Sequence, residues 1–307
     1  MHNLASTYQG QGQWKEAKGM QIQVVEIRKR ILGEQHPDTL ISIQNLASIY
    51  QRQGQWKEAE QMQIHVVETS KRVLGEEHPD TLTSMNNLAS TYQDQGQWKE
   101  AERMQIEVVE ASKRILGDQH PDTVTSMHNL ALTYQDQGQW KEAERMQIQV
   151  VEASKRILGD QHPDTVTSMH NLALTYQWQG QWEEAERMQI EVVDACKRIL
   201  GEEHSNTVTS MNNLALTYQW QGRWKEAERM QIEVVETRKR ILGEEHPDTL
   251  TSMNNLALTY EKQGQWKEAE RMQIQVVETS KRVLGEEHPN TLTSMDNLVF
   301  IYQKQGQ

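Results

Sequence analysis

HPDTLTSMNNLASTYQDQGQWKEAERMQIEVVEASKRILG (His78–Gly117) is the stretch that decides the fold of this chain. In its first half Met85, Leu88, Ala89 and Tyr92 follow the i, i+3, i+4, i+7 spacing that gathers apolar groups on one face of a helix. Pro79 and Asp80 suit the first turn: proline lacks an N–H that a helix start leaves unpaired, and a carboxylate faces the positive end of the dipole. Gly96 and Gln97 make a short break. A second helix is predicted from Trp98 to Leu116, with Trp98, Ala101, Val108, Val109 and Leu116 on its buried side. Lys113 and Arg114 stand at its carboxyl end, where the dipole favours cations, and Gly117 is placed to cap it.

The pattern recurs through the whole chain. Trp14, Trp56, Trp98, Trp140, Trp182, Trp224 and Trp266 are each 42 residues apart. Residues 101–142 and 143–184 differ only at Glu107/Gln149, Asp136/Trp178 and Lys141/Glu183, so the array grew by copying whole units. A lone helix pair cannot bury its apolar stripe, and stacked pairs close a continuous core. The repeat predicts seven helix pairs and an eighth first helix, fifteen antiparallel helices in all, with breaks near Gly33, Gly75, Gly117, Gly159, Gly201, Gly243 and Gly285. Met1 aligns with Met85 and Gln307 precedes a second helix, so both ends are expected to be cut within a repeat, with uncapped faces open to end-to-end association.

Leu88-Ala89, Tyr92, Gly96 and Ala101 at these spacings resemble a tetratricopeptide repeat. The 42-residue length, with LGEEHPDTLTSMNNLALTY (Leu242–Tyr260) and the QGQWKEAE that follows, resembles the kinesin-light-chain type. Similar arrays form the carboxyl-terminal sensor regions of fungal NACHT and NB-ARC NOD-like receptors. The resemblance implies an all-α fold, a single α-solenoid over residues 1–307 wound as a right-handed superhelix, with first helices lining a concave groove that holds peptides. It implies a non-catalytic scaffold: the sensor arm of a receptor, a cargo adaptor like a kinesin light chain, or a spacer and self-assembly element. The chain departs from the family four residues after the repeated alanine, where Gln105 and its counterparts from Gln21 to Gln273 replace a large apolar residue. A buried, unpaired amide costs roughly 1–3 kcal/mol. The glutamines are therefore expected to bond across repeats, with Met104 and Ile106 supplying apolar contact.

On a helical wheel Thr83, Asn87, Ser90 and Asp94 face away from the buried stripe, and the resemblance puts that face in the groove. Its fixed part is an asparagine row: Asn3, Asn45, Asn87, Asn129, Asn171, Asn213, Asn255 and Asn297. Each amide offers donors and an acceptor, enough to hold a peptide backbone or, alternatively, to bond the next helix and set spacing. Its variable part changes along the chain. At the Ser90 position stand Ser6, Ser48 and Ser90, then Leu132, Leu174, Leu216, Leu258 and Phe300. At the Asp94 position stand Gly10, Arg52, Asp94, Asp136, Trp178, Trp220, Lys262 and Lys304. Leu174, Trp178, Leu216 and Trp220 form an apolar step followed by Lys262, a candidate hot spot for a partner with an apolar anchor and an acidic neighbour. The alternative is one substitution copied by duplication. Trp182, by contrast, is expected in the core, with Trp178 partnering Leu174 and Trp220.

Other readings fall away. Net charge is −12, from 32 basic and 44 acidic residues, which excludes a general nucleic-acid or anionic-membrane binder. Cys196 is the only cysteine, so no intrachain disulfide or cysteine zinc cluster forms. There is no apolar run near 18 residues and no signal peptide, which points to a reducing cytoplasmic or nuclear setting, with the cytoplasm expected. His36, His78, His120, His162, His204, His246 and His288 recur one unit apart. Helices pack roughly 8–10 Å apart, too far for two imidazoles at about 2 Å from one zinc, so turn chemistry before proline is the expected role. Neither GxxxxGK[ST] nor GxGxxG occurs, no base stands at a recognisable spacing from Cys196, and no cofactor is expected.

Overall fold

The computed structural model describes residues 14–306. Among them are fourteen helices and no strand. Second helices are α1 (Trp14–Leu32), α3 (Trp56–Leu74), α5 (Trp98–Leu116), α7 (Trp140–Leu158), α9 (Trp182–Leu200), α11 (Trp224–Leu242) and α13 (Trp266–Leu284). First helices are α2 (Pro37–Arg52), α4 (Pro79–Asp94), α6 (Pro121–Asp136), α8 (Pro163–Trp178), α10 (Ser205–Trp220), α12 (Pro247–Lys262) and α14 (Pro289–Gln305). The fifteenth expected helix, with Asn3, Ser6 and Gly10, lies outside the described residues. The chain divides into two compact units, residues 1–157 and 158–307. Each is a run of consecutive antiparallel helix pairs, the arrangement of a tetratricopeptide solenoid.

Each core cluster is built by three successive helices. In the first unit Ile64 and Val67 of α3 meet Leu82, Met85, Leu88 and Tyr92 of α4, and Met104, Val108 and Ala111 of α5. In the second unit Val193 of α9 meets Val208, Met211, Leu214 and Tyr218 of α10, and Ala227, Met230 and Val234 of α11. The valine pair explains how the core continues. Val108 packs into the cluster around α4, while Val109, about 100° around the same helix, packs into the one around α6 with Ile106.

Ala101, Val108 and Val109 are buried as predicted, but the ends of the second helices are less buried than expected. Trp98 is only half-buried, Trp56 is exposed, and Ile115, Leu158, Leu200 and Leu242 are exposed rather than packed. Second helices have 19 residues against 16 in most first helices, so their last turns run past their shorter neighbours by about 4.5 Å. The interior place goes instead to the glutamines, Gln63 to Gln273, all 0–2 % exposed.

Those glutamines are wired through a hydroxyl relay. Gln177 Nε2 donates to Thr217 Oγ1 at 2.6 Å, and Thr217 Oγ1 donates to Gln189 Oε1 at 2.6 Å, joining α8, α10 and α9. Gln219, Thr259 and Gln231 repeat the relay, as do Gln93, Thr133 and Gln105 in the first unit. Isoleucine replaces the threonine at Ile49 and Ile301, and there Gln21 and Gln273 donate to the carbonyls of Ser42 (3.0 Å) and Ser294 (2.9 Å) instead. Ser90 diverts Gln51, which donates to Ser90 Oγ and Asp94 Oδ2, and both amide atoms of Gln63 are left without a partner. Leu132, Leu216 and Leu258 offer no such acceptor, so the serine-to-leucine change in the groove row also steers the relay.

Local chemistry fixes the corners. In every described repeat the loop histidine caps a first helix: His78 Nδ1 accepts from Asp80 N–H at 3.2 Å, as His36, His120, His162, His204, His246 and His288 do for their counterparts. The QGQW corner ties one repeat to the next. Gln221 Nε2 donates to the Trp182 carbonyl (3.2 Å) and Glu186 Oε2 (2.8 Å), and Gln95 does the same to Trp56 and Glu60. Gly201 closes α9 at φ 91°, ψ 164°, a conformation that is essentially glycine's alone. A Cβ there would meet nothing within 4 Å, so Gly201→Ala should cost about 1–3 kcal/mol through backbone strain alone, read as a lower urea midpoint.

Candidate binding surface of the first helices

The asparagine row lies half-buried along the first helices. Asn45, Asn87 and Asn129 belong to α2, α4 and α6 of the first unit; Asn171, Asn213 and Asn255 belong to α8, α10 and α12 of the second. Among the described residues, no hydrogen bond ties the side-chain amides of Asn45, Asn87, Asn129, Asn213 or Asn255 to another protein group. Asn86, one residue before the row, does bond the next first helix: its Nδ2 donates to Ser126 Oγ at 3.2 Å. Asn297 donates to Asn254 Oδ1 at 3.0 Å. The row therefore keeps donors and acceptors at a surface where extended backbone could pair with them.

The variable row is less uniform than its spacing suggests. Leu174 and Leu216 are half-buried, while Trp178 and Trp220 are 70 % and 69 % exposed. Trp220 stacks face to face on Trp182, ring centroids 5.6 Å apart and planes 8° from parallel. Trp220, expected beside Trp178 on the groove row, stacks on a half-buried tryptophan of the preceding second helix. The reason is antiparallel packing: the end of α10 lies beside the start of α9. Beside this pair Arg223 bonds Glu186 (2.6 Å) and Glu226 (3.0 Å), with its guanidinium 4.5 Å from the Tyr218 ring centre. Lys262 Nζ is paired with Glu261 at 3.1 Å, so its charge is locally balanced.

Sequence reasoning missed a second feature of this surface. Clefts open between the amino-terminal halves of successive first helices. One of about 290 Å³ in the second unit is lined by Val166, His170, Val192, Cys196, Leu200 and Ser210. Smaller ones, about 180 Å³ and 100 Å³, are centred on Ser70 and Ser280 at the same repeat position. Asn45 and Asn87 of the row line the Ser70 cleft. Burial pushes the His170 pKa down, so its imidazole stays neutral more readily than a free one. The Cys196 thiol is pushed up by burial, partly offset by a hydrogen bond with Ser210, and is held as the thiol. The available signal was the period itself: the residue 14 after each tryptophan alternates between small and Arg28 or Arg238.

A family model described as Tetratricopeptide repeat matches residues 1–63, 40–114, 85–147, 126–177, 207–278 and 253–307, and a second of the same description matches 165–206. The chain belongs to the tetratricopeptide repeat family. Among solved structures the array is similar to a Podosopora anserina candidate kinesin light chain with nearly identical TPR-like repeats: 34 % identity, 67 % of this chain and 98 % of that one, TM-score 0.63. It shares the fold of BtubC from P. vanneervenii, with 20 % identity, 76 % and 94 % coverage and TM-score 0.64. It also shares the fold of PH0952 from Pyrococcus horikoshii, a STAND protein with a tetratricopeptide repeat sensor, at 14 % identity and TM-score 0.70, over all of this chain and 44 % of that one. A search of curated proteins finds no match.

Proposed function

We propose that this array is a non-catalytic scaffold that binds an extended protein or peptide along its first helices, as the ligand-sensing arm of a fungal NOD-like receptor in the cytoplasm. The observation that carries the binding reading is five members of the asparagine row, Asn45, Asn87, Asn129, Asn213 and Asn255, whose half-buried side-chain amides make no hydrogen bond to another described protein group, while Asn86 bonds the next first helix. The receptor setting is supported by the likeness in fold to a STAND protein whose sensor is a tetratricopeptide repeat. We take residues 1–307 to act as one array with breaks at the repeated glycines. The array carries no dedicated cofactor or metal in this reading, and among the described residues no helix is long and apolar enough to cross a membrane.

One observation favours another reading. The likeness to the Podosopora anserina repeats supports a cargo adaptor of kinesin-light-chain type.

Peptides selected on the array from a random library test the binding reading. Trp178→Ala should weaken binding by roughly 2 kcal/mol, as for a hot spot. Trp220→Ala should lose similar affinity and, in addition, about 0.5–1.5 kcal/mol of stability from the broken indole stack. Calorimetric titration and thermal melting separate the two effects. Unchanged affinity in both variants, and in Asn213→Ala with Asn255→Ala, would place binding elsewhere.

A further inference from the structure

The clefts share one construction. Their floor is the residue 14 after the repeated tryptophan, which reads Arg28, Ser70, Ser112, Ser154, Cys196, Arg238 and Ser280 along the chain. At Arg238 the guanidinium fills the space: Nη1 donates to the Asp248 carbonyl (2.9 Å) and to Ser252 Oγ (2.6 Å). Arg28 repeats this with the Asp38 carbonyl and Ser42 Oγ, both at 2.7 Å. Ser252 and Ser42 are the counterparts of Ser84, Ser210 and Ser294, which line the open clefts. At Ser70, Cys196 and Ser280 the small floor residue stands at a cleft, and at Arg28 and Arg238 the arginine fills the corresponding space.

The Cys196 cleft is the roomiest of the three, about 290 Å³. Val166 stands where the others have Leu40 and Leu250, one methylene shorter, and sulfur replaces a floor hydroxyl. Its rim is uncharged: Asn206 replaces the Asp80 of the Ser70 cleft, and His170 is its only titratable ring. A dry apolar cavity of about 150 Å³ already takes benzene. The walls would reject a charge, which pays heavily for desolvation.

We propose that these clefts are side-chain sockets for the groove ligand, gated by the floor residue, and that the Cys196 socket takes one uncharged apolar side chain of an extended peptide. The proposal rests on the reading that the first helices bind a peptide. The asparagine row, which borders the Ser70 socket, would hold the peptide backbone while the socket takes the anchor.

The test uses the intact chain and its single cysteine. Butyl, sulfonatoethyl and trimethylammonioethyl methanethiosulfonates are compared for their rate of modification of Cys196 under native conditions. The butyl reagent should react at least tenfold faster than either charged one, although a net charge of −12 by itself favours the cation. A library-selected peptide should protect Cys196, and its apolar anchor changed to aspartate should abolish protection. Cys196→Arg should lower peptide affinity at least tenfold with the melting temperature kept, since arginine is already accommodated at Arg28 and Arg238. Equal rates for the three reagents, or a peptide that binds without protecting Cys196, would overturn the socket while leaving the groove reading intact. Butyl preference with no peptide bound by the array at all would overturn both, leaving a site for free apolar molecules.

Discussion

Gln189→Glu should destabilise the array by about 3–5 kcal/mol at pH 7, the cost of a buried charge with no compensating partner. Gln189 is 2 % exposed and its Oε1 accepts one hydrogen bond, from Thr217. No cation reaches it in the relay, so the introduced carboxylate would have its pKa raised by desolvation. Its folded form would then hold a proton that the unfolded chain releases. The penalty is absent below the unfolded carboxylate value near 4.3, grows as pH rises above it and is full only above the raised folded value, so the gap to the parent should close in acid. Gln189→Met is the control. It keeps length and volume, and Thr217 Oγ1 still accepts from Gln177 and donates to the Asn213 carbonyl. That swap should cost less than about 1.5 kcal/mol. Urea unfolding of both variants at pH 7 and pH 4.5 checks the pair. Equal losses, or a loss from Gln189→Glu that does not depend on pH, would mean the glutamine row is wetter than the structure shows.

Leu214→Ala is the second large effect, about 2–5 kcal/mol. Leu214 is 3 % exposed and sits where α9, α10 and α11 meet, so its removal leaves a cavity that three helices would have to close. Repeat arrays are stabilised by nearest-neighbour interfaces, and a cavity at one of them weakens coupling as well as local packing. The unfolding transition should therefore broaden as its midpoint falls. Leu216 is the internal comparison. It lies two residues on, about 200° around the same helix, and is only half-buried. Leu216→Ala should cost clearly less. Equal losses would deny that the first helices have one core face and one groove face.

Much of this was readable in the sequence, and the failures have physical causes. Met85, Leu88, Ala89 and Tyr92 carry a helical period that survives any context, and Gly96 and Gly117 mark breaks that only glycine permits at positive φ. A wheel drawn for one helix gives the face of that helix alone. It could not show that Trp220 would reach Trp182, 38 residues back on an antiparallel neighbour. Trp98 and Leu116 were expected on the buried side and are only half-buried, because hydrophobicity says nothing about how far a neighbouring helix covers them. Gln105 was expected to bond across repeats and does so through Thr133, 28 residues on; what the sequence did not show is the relay that passes through the threonine and its rewiring at Ile49 and Ile301. The loop histidines were assigned to turns, and the structure sharpens that to helix caps. The sockets depend on three helices at once, so the alternation of Ser70, Cys196 and Arg238 carried no meaning on a single strip of sequence.

The central claim is that the partnerless amides of the first helices hold the ligand. Side-chain NH₂ resonances of an array labelled with ¹⁵N-asparagine, followed while a library-selected peptide is added, test it most directly. Asn213 and Asn255 should shift, while Asn86, already bonded to Ser126, should hold still. A saturated complex in which the row resonances stay fixed and only others move would contradict the account.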